Sequence, residues 1–400
     1  MSGKNGCDPE MLQKINLRQI GALENPAMSS EDNFDDFEES PSVSDLLPEK
    51  NNVIRGQKNA YAVGRKLAPG RFGAVYEVLR KSDGRFGAVY EVLRKSDGRQ
   101  FAAKLEVCTE SFNGLNMDYK VLKAAEKSKC SQFAELVDRG KIDGHFKFIV
   151  IQMLGENLWK LRHQFVEHRF SAPTALKLAL ETLKGIEQLH SLGFVHRDIK
   201  PSNFLMHKTD SGTRIVIIDF GICRPFRTSN GDVRPPREQC HFRGTTRYAS
   251  LAAHNEQEQS PKDDLESWFY LVVETINGNL PWAEYRKNDR ELVKTLKQNV
   301  RNVETTHQFL KHCPKVEFRR ILSYLDGLTY FSQPDYNYLR QLINLAMKNN
   351  KIDPDEPYDW EIDQEKPVES NNNTQTKLML PVSDQTKNIV KSLEGISMKN

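Results

Sequence analysis

The chain has 400 residues, which is enough for one large domain or two small ones. A hydrophobic fraction of 38% and an aromatic fraction of 9% predict a globular core with polar flanks, and a formal net charge of +3 indicates neither a nucleic-acid nor a membrane partner. No segment reaches the ~18 apolar residues that a membrane helix needs, and the first residues lack an apolar signal core. The six scattered cysteines form no Cys-x-x-Cys pair, so we expect reduced thiols in an intracellular chain rather than disulfides or zinc.

Both ends of the chain are polar. Residues 1–55 contain clusters of Ser, Asp and Glu, and residues 363–400 contain an Asn run and alternating charges. Such compositions bury too little apolar surface to fold, so we predict a disordered tail at each end, with a short helix near 389–396. The first tail carries the acidic run EDNFDDFEE at 31–39, whereas residues 224–247 are basic. Two interpretations stay open: a solvated tail, or an acidic run that occupies a basic groove of the same chain and inhibits it.

The first part of the central region has the pattern of a small sheet. Alternating or apolar runs predict strands over 61–68, 72–79, 100–107 and 146–153. One helix is predicted over 114–127. We therefore expect a mainly antiparallel sheet lobe over about 56–153.

The second part is dominated by helices. Ser171 as N-cap and Pro173 in the first turn predict the start of a long helix, which ends at Gly193. Its apolar residues fall on one helical face: Leu176, Leu180, Leu183 and Ile186. A short buried strand is predicted over 214–218 and a buried helix over 264–277. The pattern predicts an α+β fold in one domain over 56–362, whose helical lobe begins at about 154.

A perfect repeat interrupts the predicted sheet. Residues 71–84 read RFGAVYEVLRKSDG, and residues 85–98 repeat every position. Because side chains alternate along a strand, a shift by an even number keeps its faces, so either copy can pair with the same neighbours. In one model the first copy stays beside Gly70 and the second copy loops out; in the other the second copy forms the strand. We prefer the first model, because Pro69-Gly70 adjoins the preceding strand there.

The densest chemical pattern is HRDIKPSN at residues 196–203, followed further along by Asp-Phe-Gly from Asp219. Asp198 can accept the proton of a substrate hydroxyl, and Lys200 can hold a transferring phosphate. Asn203 and Asp219 offer the hard oxygen ligands that Mg²⁺ prefers. The pattern resembles the catalytic and magnesium loops of protein kinases, in which positioning and charge neutralisation supply most of the catalysis. We call residues 196–203 the catalytic loop.

The resemblance assigns the phosphate loop to the sequence APGRFG, from Ala68 to Gly73. Gly70 and Gly73 let backbone N–H groups approach phosphates without a Cβ clash, but Ala68 stands where the first glycine of G-x-G-x-x-G is usual. Val75 follows this loop. Lys104 stands on the next predicted strand, where the resemblance implies that it grips the α- and β-phosphates.

The lysine of this fold normally pairs with a glutamate on the following helix, and the corresponding residue here is Asp118. Aspartate is one methylene shorter, so the helix must lie about 1 Å closer for the pair to form. A solvent-facing Asp118 stays open as the alternative.

The resemblance also implies an adenine pocket. Ala102, Leu205 and Val75 are candidate apolar residues against the adenine ring, and each could equally belong to the core. The hinge, whose backbone would pair with the base, is assigned to Gln152, Met153 and Leu154. Nearby, Arg197 is suited to hold a carboxylate or phosphate on the following loop, and Asp264 is expected to hold the backbone of the catalytic loop.

Further motifs resemble the casein kinase I superfamily. RGTTRYAS at 243–250 stands in place of the usual Ala-Pro-Glu motif, and Lys200 is typical of serine/threonine kinases. Other matches are DDLESW at 263–268, GNLPW at 278–282 and PDYNYLR at 334–340. Within this group, the residues most similar to the tau-tubulin kinases and their divergent relatives are Gln152, PSNF at 201–204 and YDWE at 358–361. The resemblance covers about residues 55–362.

The family implies Ser/Thr substrates that are acidic or already phosphorylated. Arg247 is a candidate for binding such a phosphate, because a guanidinium matches phosphate geometry. Lys297 and Arg301 are candidate helpers, with a solvated helix face as the alternative for both.

These features together predict a serine/threonine protein kinase that uses ATP and Mg²⁺ and resides in the cytoplasm, with the nucleus left open as a second location. Its expected partners are protein substrates, without nucleic acid or membrane, and it is expected to be a monomer. The alternative is a catalytically weak or inactive pseudokinase scaffold, for which Ala68, Asp118 and the repeat argue.

Overall fold

The protein is described by a computed structural model that covers residues 47–69, 87–108, 114–210, 212–285 and 287–362. Several sequence predictions lie outside these residues. They are the first tail up to residue 46 with its acidic run, the tail from residue 363, and the predicted strand over 72–79.

In the described part of the first lobe, the strands are β1 (Val53–Arg55), β2 (Ala60–Pro69), β3 (Gly87–Arg94), β4 (Gln100–Val107), β5 (Leu136–Ile142) and β6 (Phe146–Gln152). They pair antiparallel in the order β1-β2-β3-β4-β6-β5. Helix α1 (Gly114–Lys127) packs against β4, β5 and β6. Because side chains alternate along each strand, the apolar residues on one face of the sheet pack together in a separate hydrophobic core. Its buried residues include Tyr61, Val63, Tyr90, Val92, Phe101, Ala103, Phe148 and Val150.

The first lobe begins earlier than predicted. Residues Val53–Arg55 form β1, in which Ile54 pairs with Tyr61 of β2, and both side chains are buried. Leu47 also packs against the core of this lobe. The predicted boundary at residue 56 is therefore wrong. Two adjacent apolar residues in a polar segment, Val53 and Ile54, give no alternating signal, so the sequence pattern did not reveal this edge strand.

The second copy of the repeat provides strand β3. In the register of the sheet, Val89 lies opposite both Ala68 of β2 and Lys104 of β4. The preferred model, in which the second copy loops out, is therefore wrong. The physical reason is proximity, because residues 95–99 close a short hairpin to β4 in which Gly98 has a φ of +69°. If the first copy were the strand, the connection to β4 would run over residues 81–99, and the short hairpin would be lost.

The second lobe is mainly helical. Its helices are α2 (Leu158–Arg162), α3 (Ala172–Ser191), α4 (Leu251–His254), α5 (Pro261–Asn277), α6 (Arg290–Asn299), α7 (Val303–Phe309), α8 (Lys315–Asp326) and α9 (Tyr336–Asn349). Its short strands are β7 (Phe194–Val195), β8 (Phe204–Thr209), β9 (Gly212–Ile217) and β10 (Arg224–Pro225), which pair as β7–β10 and β8–β9. The predicted bilobal α+β fold is confirmed. Across the described parts of the chain, no helix combines the length and apolar content that a membrane crossing requires.

Helices α3 and α5 form the centre of this lobe and pack against each other. The Ser171 hydroxyl accepts a hydrogen bond from the Thr174 backbone N–H at 3.3 Å, which caps α3 as predicted. Helix α5 begins at Pro261, earlier than predicted, because the Asp263 carboxylate accepts the Ser260 backbone N–H at 2.8 Å and caps it. Almost every side of α5 is buried, which is typical of a helix inside a large core.

Candidate functional site

The catalytic loop lies between β7 and β8, and a side chain of α5 holds its backbone. The buried Asp264 carboxylate accepts the backbone N–H groups of His196 at 2.6 Å and Arg197 at 2.8 Å. It also accepts the His190 Nε2–H at 2.9 Å. Burial would raise the pKa of Asp264, but these hydrogen bonds lower it and keep it ionised. The predicted role of Asp264 as an anchor of this backbone agrees with these contacts.

The His196 imidazole joins the catalytic loop to the segment that follows β9. Its Nδ1 accepts the Asp198 N–H at 3.2 Å, and its Nε2 lies 3.0 Å from the Ile218 carbonyl. This pattern places the ring proton on Nε2. The Ile218 N–H in turn donates to the Asn203 carbonyl at 2.9 Å. Two segments that are distant in sequence are thereby held in a fixed register.

Asp198 is at the centre of the polar cluster. Its side chain is buried, and its Oδ2 contacts the Lys200 ammonium. Its Oδ1 accepts the Thr245 hydroxyl at 2.5 Å, and the Lys200 Nζ lies 3.4 Å from the same hydroxyl. The Asn203 amide nitrogen donates to the Asp198 carbonyl at 2.9 Å. The Asp198 carboxylate is therefore held by a cation and a hydroxyl, and its backbone carbonyl is held by the Asn203 amide.

Lys104 of β4 forms the second charged cluster. Its Nζ lies 2.8 Å from the Asp118 Oδ2 on α1 and 2.8 Å from the Asp219 Oδ1. The other Asp118 oxygen accepts the Phe220 backbone N–H at 2.8 Å. The shorter aspartate therefore does reach the lysine, and the alternative of a solvent-facing Asp118 is wrong, since its side chain is only 4% exposed.

The charges of this cluster stabilise one another. Burial alone would lower the pKa of Lys104, but the charges of Asp118 and Asp219 raise it above its ordinary value. The Lys104 charge lowers the pKa of Asp219, whereas burial raises the pKa of Asp118 against the opposing effect of Lys104. A protonated Lys104 therefore faces an ionised Asp219 at neutral pH.

The backbone around these residues is strained at two positions. Arg197 has a φ of +66° and Asp219 has a φ of +68°, both in the left-handed region that non-glycine residues rarely adopt. Between them, the Phe220 ring packs edge-on against His196 and stacks on Phe133 at 5.4 Å. Such strain is concentrated at functional sites, where the surrounding contacts hold it in place.

Asn203 and Asp219 fit the donor set of a hard divalent cation. The Asp219 side chain is 41% exposed, so it faces solvent although it contacts Lys104. The Asn203 amide nitrogen is used by the Asp198 carbonyl, which leaves its amide oxygen as the atom that can ligate. Among the described residues, no group of three His, Cys, Asp or Glu side chains could hold a metal by itself. A cation here would need phosphate oxygens and water to complete its shell, which suits Mg²⁺.

One face of the sheet carries the candidate nucleotide-binding residues. Residues directly opposite in neighbouring strands point the same way, so the register places Val89, Ala102, Lys104, Ile149 and Ile151 on one face. Val89 occupies in the second copy the place that Val75 has in the first. Val75, Gly70 and Gly73 lie outside the described residues, so the phosphate loop assigned to them stays a prediction.

The predicted hinge connects the two lobes. Gln152 ends β6 and residues 153–154 follow it, and the chain then joins β8 through backbone hydrogen bonds. The Gly155 N–H donates to the Met206 carbonyl at 2.8 Å, and the Met206 N–H donates to the Glu156 carbonyl at 2.9 Å. Leu205 is half-buried in β8 beside this connection. The assignment of Gln152, Met153, Leu154 and Leu205 to an adenine pocket is compatible with these positions and stays a prediction.

Among the described residues, the Arg197 guanidinium donates hydrogen bonds to a backbone carbonyl. Its Nε and one terminal nitrogen donate to the Ile222 carbonyl at 2.8 and 2.6 Å. Burial lowers its pKa to about 10. The guanidinium therefore fixes the backbone after Phe220, while the carboxylate of the nearby Glu258 contacts Arg224 and Arg237. The predicted contact of Arg197 with a phosphate stays a prediction.

Arg247 belongs to a buried charge cluster. Its guanidinium contacts Glu274 of α5 and donates to the Asn279 amide oxygen at 2.7 Å. Glu274 also lies 3.5 Å from the Arg162 guanidinium and accepts the Tyr248 hydroxyl at 2.5 Å. Two guanidinium groups thus share one carboxylate, which leaves one net positive charge. Arg247 remains 27% exposed and so remains a candidate for binding an anion.

The predictions made for Lys297 and Arg301 are corrected by the structure. The Lys297 side chain is fully buried, because it lies one helical turn from Val293 on the inner face of α6. The Arg301 guanidinium donates to Asp326 at 2.8 Å and to Glu266 at 3.1 Å. Neither side chain presents its charge to a substrate surface, and neither lies on a solvated helix face. Both alternatives considered from the sequence are therefore wrong for these two residues.

Thr245 was missed by sequence reasoning. Its hydroxyl contacts both Asp198 and Lys200, although the residue is remote from them in sequence. Gly244 has a φ of +121°, and a Cβ there would lie 2.7 Å from the Arg197 carbonyl, so this backbone packs directly on the catalytic loop. Thr245 lies within the motif RGTTRYAS, which indicated the family resemblance but not a role for this hydroxyl. We call residues 244–249 the acceptor loop.

Comparison with known proteins agrees with this geometry. A family model described as protein kinase domain matches residues 61–351. The serine/threonine-protein kinase spe-6 of Caenorhabditis elegans is 34% identical over 249 residues, which cover 62% of this chain and 64% of spe-6. A probable serine/threonine-protein kinase of Dictyostelium discoideum is 31% identical over 306 residues, covering 76% of this chain and 57% of the relative.

A putative serine/threonine-protein kinase of C. elegans is 31% identical over 266 residues, which cover 65% of this chain and 78% of that protein. The chain spans less than two thirds of the length of the first two relatives. The match is therefore to their kinase region and says nothing of the remaining parts of those proteins.

Proposed function

Because the chain belongs to the protein kinase family, we propose that it transfers the γ-phosphate of ATP to Ser or Thr hydroxyls of protein substrates. The observation that carries this proposal is the convergence of two charged clusters. Asp198 is held beside Lys200 and Thr245, and Lys104 is held between Asp118 and Asp219. These clusters contain the charged side chains that phosphoryl transfer uses, and each of them contacts a group of opposite charge.

Asp198 acts on the acceptor hydroxyl. The hydroxyl oxygen forms a bond to the γ-phosphorus while the bond from that phosphorus to the β-bridging oxygen breaks, and ADP leaves with the electron pair. Asp198 orients the hydroxyl and takes its proton. The Lys200 ammonium, already beside Asp198, neutralises charge on the transferring group.

Lys104 acts on the nucleotide. Its ammonium is held by two carboxylates and kept protonated, so it can contact the α- and β-phosphates without titrating near neutral pH. Asn203 and Asp219 would hold Mg²⁺, which neutralises phosphate charge when bound. The Phe220 backbone contact to Asp118 keeps Asp219 turned toward Lys104 rather than away from it.

We place the chain with the casein kinase I superfamily and closest to tau-tubulin kinase-like members. The motifs RGTTRYAS and DDLESW support this placement, because the first contacts Asp198 through Thr245 and the second supplies Asp264. We propose acidic or phosphorylated substrates as well. The surplus positive charge shared by Arg247 and Arg162 around Glu274 supports that preference. We also propose that the protein is a monomer and resides in the cytoplasm.

The direct test is transfer of labelled phosphate from ATP to casein by the purified full chain in the presence of Mg²⁺. We expect incorporation that is lost in Asp219→Asn, which removes a carboxylate from both the cation site and the Lys104 cluster. A matched pair of peptides, with and without a phosphoserine near the acceptor, tests the substrate preference. No incorporation into casein or either peptide would favour the scaffold alternative.

A further inference from the structure

The acceptor loop is held from two sides by buried side chains. On one side, Arg247 and Tyr248 contact Glu274 of α5. On the other side, Lys297 reaches from α6 to the backbone of the loop. We infer that Lys297 is a positioning residue that fixes the acceptor loop against Asp198 and so determines affinity for the protein substrate. This inference rests on the proposed kinase function.

The Lys297 ammonium is fully used by the protein itself. It donates to the Thr246 carbonyl at 2.9 Å and to the Ala249 carbonyl at 2.6 Å, and its nitrogen lies 3.2 Å from the His254 Nε2. Three polar atoms therefore surround the Lys297 nitrogen. Two of the acceptors lie on either side of Arg247. The lysine thereby sets the backbone path of the segment that carries the candidate anion-binding residue.

Two aromatic rings complete the surroundings of this cation. The Lys297 Nζ lies 4.9 Å from the Tyr270 ring centre and 5.4 Å from the Trp282 ring centre. Such distances are typical of cation–π contacts. The Trp282 indole N–H donates to the Arg247 carbonyl at 2.7 Å. Lys297 and Trp282 therefore hold the carbonyls of residues 246, 247 and 249 together.

The acceptor loop is the link between Lys297 and the chemistry. Its Thr245 hydroxyl is bound to Asp198, and its Gly244 backbone packs on the Arg197 carbonyl. A displaced loop would alter where an acceptor hydroxyl meets Asp198. Lys104 and Asp118 belong to the other lobe, and the described hydrogen bonds of Lys104 reach none of the acceptor-loop residues. Losing Lys297 should therefore affect the protein substrate far more than ATP.

The test compares Lys297→Met with Val293→Ala in the full chain. Methionine keeps the length and apolar character of the stem but cannot donate, so buried carbonyls lose their partner. Val293 is buried one turn away on the same helix and controls for general loosening of α6. We expect Lys297→Met to raise the KM for casein about tenfold while the KM for ATP changes less than about twofold. Val293→Ala should leave the KM for casein within about twofold of the wild-type value.

An unchanged KM for casein in folded Lys297→Met, or equal rises for casein and ATP, would overturn the inference. Lys297→Gln, whose amide keeps a donor, covers the case in which the methionine variant does not fold, and we expect it to raise the KM for casein about threefold. Hydrogen exchange of the amides in residues 244–249 gives a readout that does not require catalysis. We expect it to quicken in Lys297→Met relative to Val293→Ala. Wild-type protein that transfers no phosphate would refute the proposed function. Hydrogen exchange in residues 244–249 that is the same in Lys297→Met and wild type would refute the role of Lys297.

Discussion

At Asp118, a carboxylate one methylene shorter than glutamate still reaches the lysine of β4. Helix α1 lies close enough to β4 for this contact, because the Lys104 Nζ is 2.8 Å from the Asp118 Oδ2. The same carboxylate binds both Lys104 and the Phe220 backbone N–H. Asp118 therefore couples the position of α1 to the orientation of Asp219, and its short side chain is part of an intact ion pair.

Replacing Asp118 tests this coupling. We expect Asp118→Asn to lower kcat/KM about tenfold or more, because the buried ammonium loses one of its two anionic partners. The matched control is Asp118→Glu, which keeps the charge and should stay within about threefold of wild type. Initial-rate kinetics with labelled ATP measure both variants. Equal activity of wild type and Asp118→Asn would show that the pair has no part in catalysis.

Residue-level prediction succeeded where the function depends on local spacing. The residues Asp198, Lys200 and Asn203 are close in sequence, so their convergence follows from one short loop. It failed for Lys297, because a lysine on a polar amphipathic helix has the pattern of a surface residue. Its burial follows from Tyr270, Trp282 and the acceptor loop, which come from distant parts of the chain. No local pattern encodes such a set of partners.

At the scale of elements, the repeat shows a limit of a different kind. Two identical segments have identical propensities and faces, so no sequence pattern can choose between them. The choice is made by chain connectivity, since residues 95–99 form a tight hairpin from β3 into β4. By contrast, α1, β4 and α3 were predicted within a residue or so, because each has a clear period and a capping or breaking residue.

Two matched replacements test which copy forms β3. A Gly/Ser segment of equal length in place of residues 71–84 should leave the free energy of unfolding nearly unchanged. The same segment in place of residues 85–98 removes the residues that form β3 and their short hairpin to β4, so it should lower the free energy of unfolding more than the first replacement does. Denaturant unfolding of both variants measures the difference. Greater damage from the first replacement would contradict the assignment of β3 to the second copy.

At the scale of the whole molecule, the site is assembled from both lobes. The sheet lobe contributes Lys104 and the helical lobe contributes Asp198 and Asp219. Contacts from α1 to Phe220 and from His196 to Ile218 join the segments that carry them. Family resemblance predicted this arrangement in outline. The contact of Lys297 with the acceptor loop could be recognised only from the three-dimensional structure. An enzyme that is already assembled in this way is expected to act without a further activating modification.

The most direct test of the account compares ATP binding and phosphate transfer in wild type and Asp198→Asn. Asparagine keeps the shape of the side chain but is a far weaker proton acceptor. We expect both proteins to bind ATP with similar affinity, and we expect transfer to casein to fall about a thousandfold in the variant, within the range for loss of a general base. Wild-type protein that binds ATP without transferring phosphate, or a variant that transfers it equally well, would contradict the account.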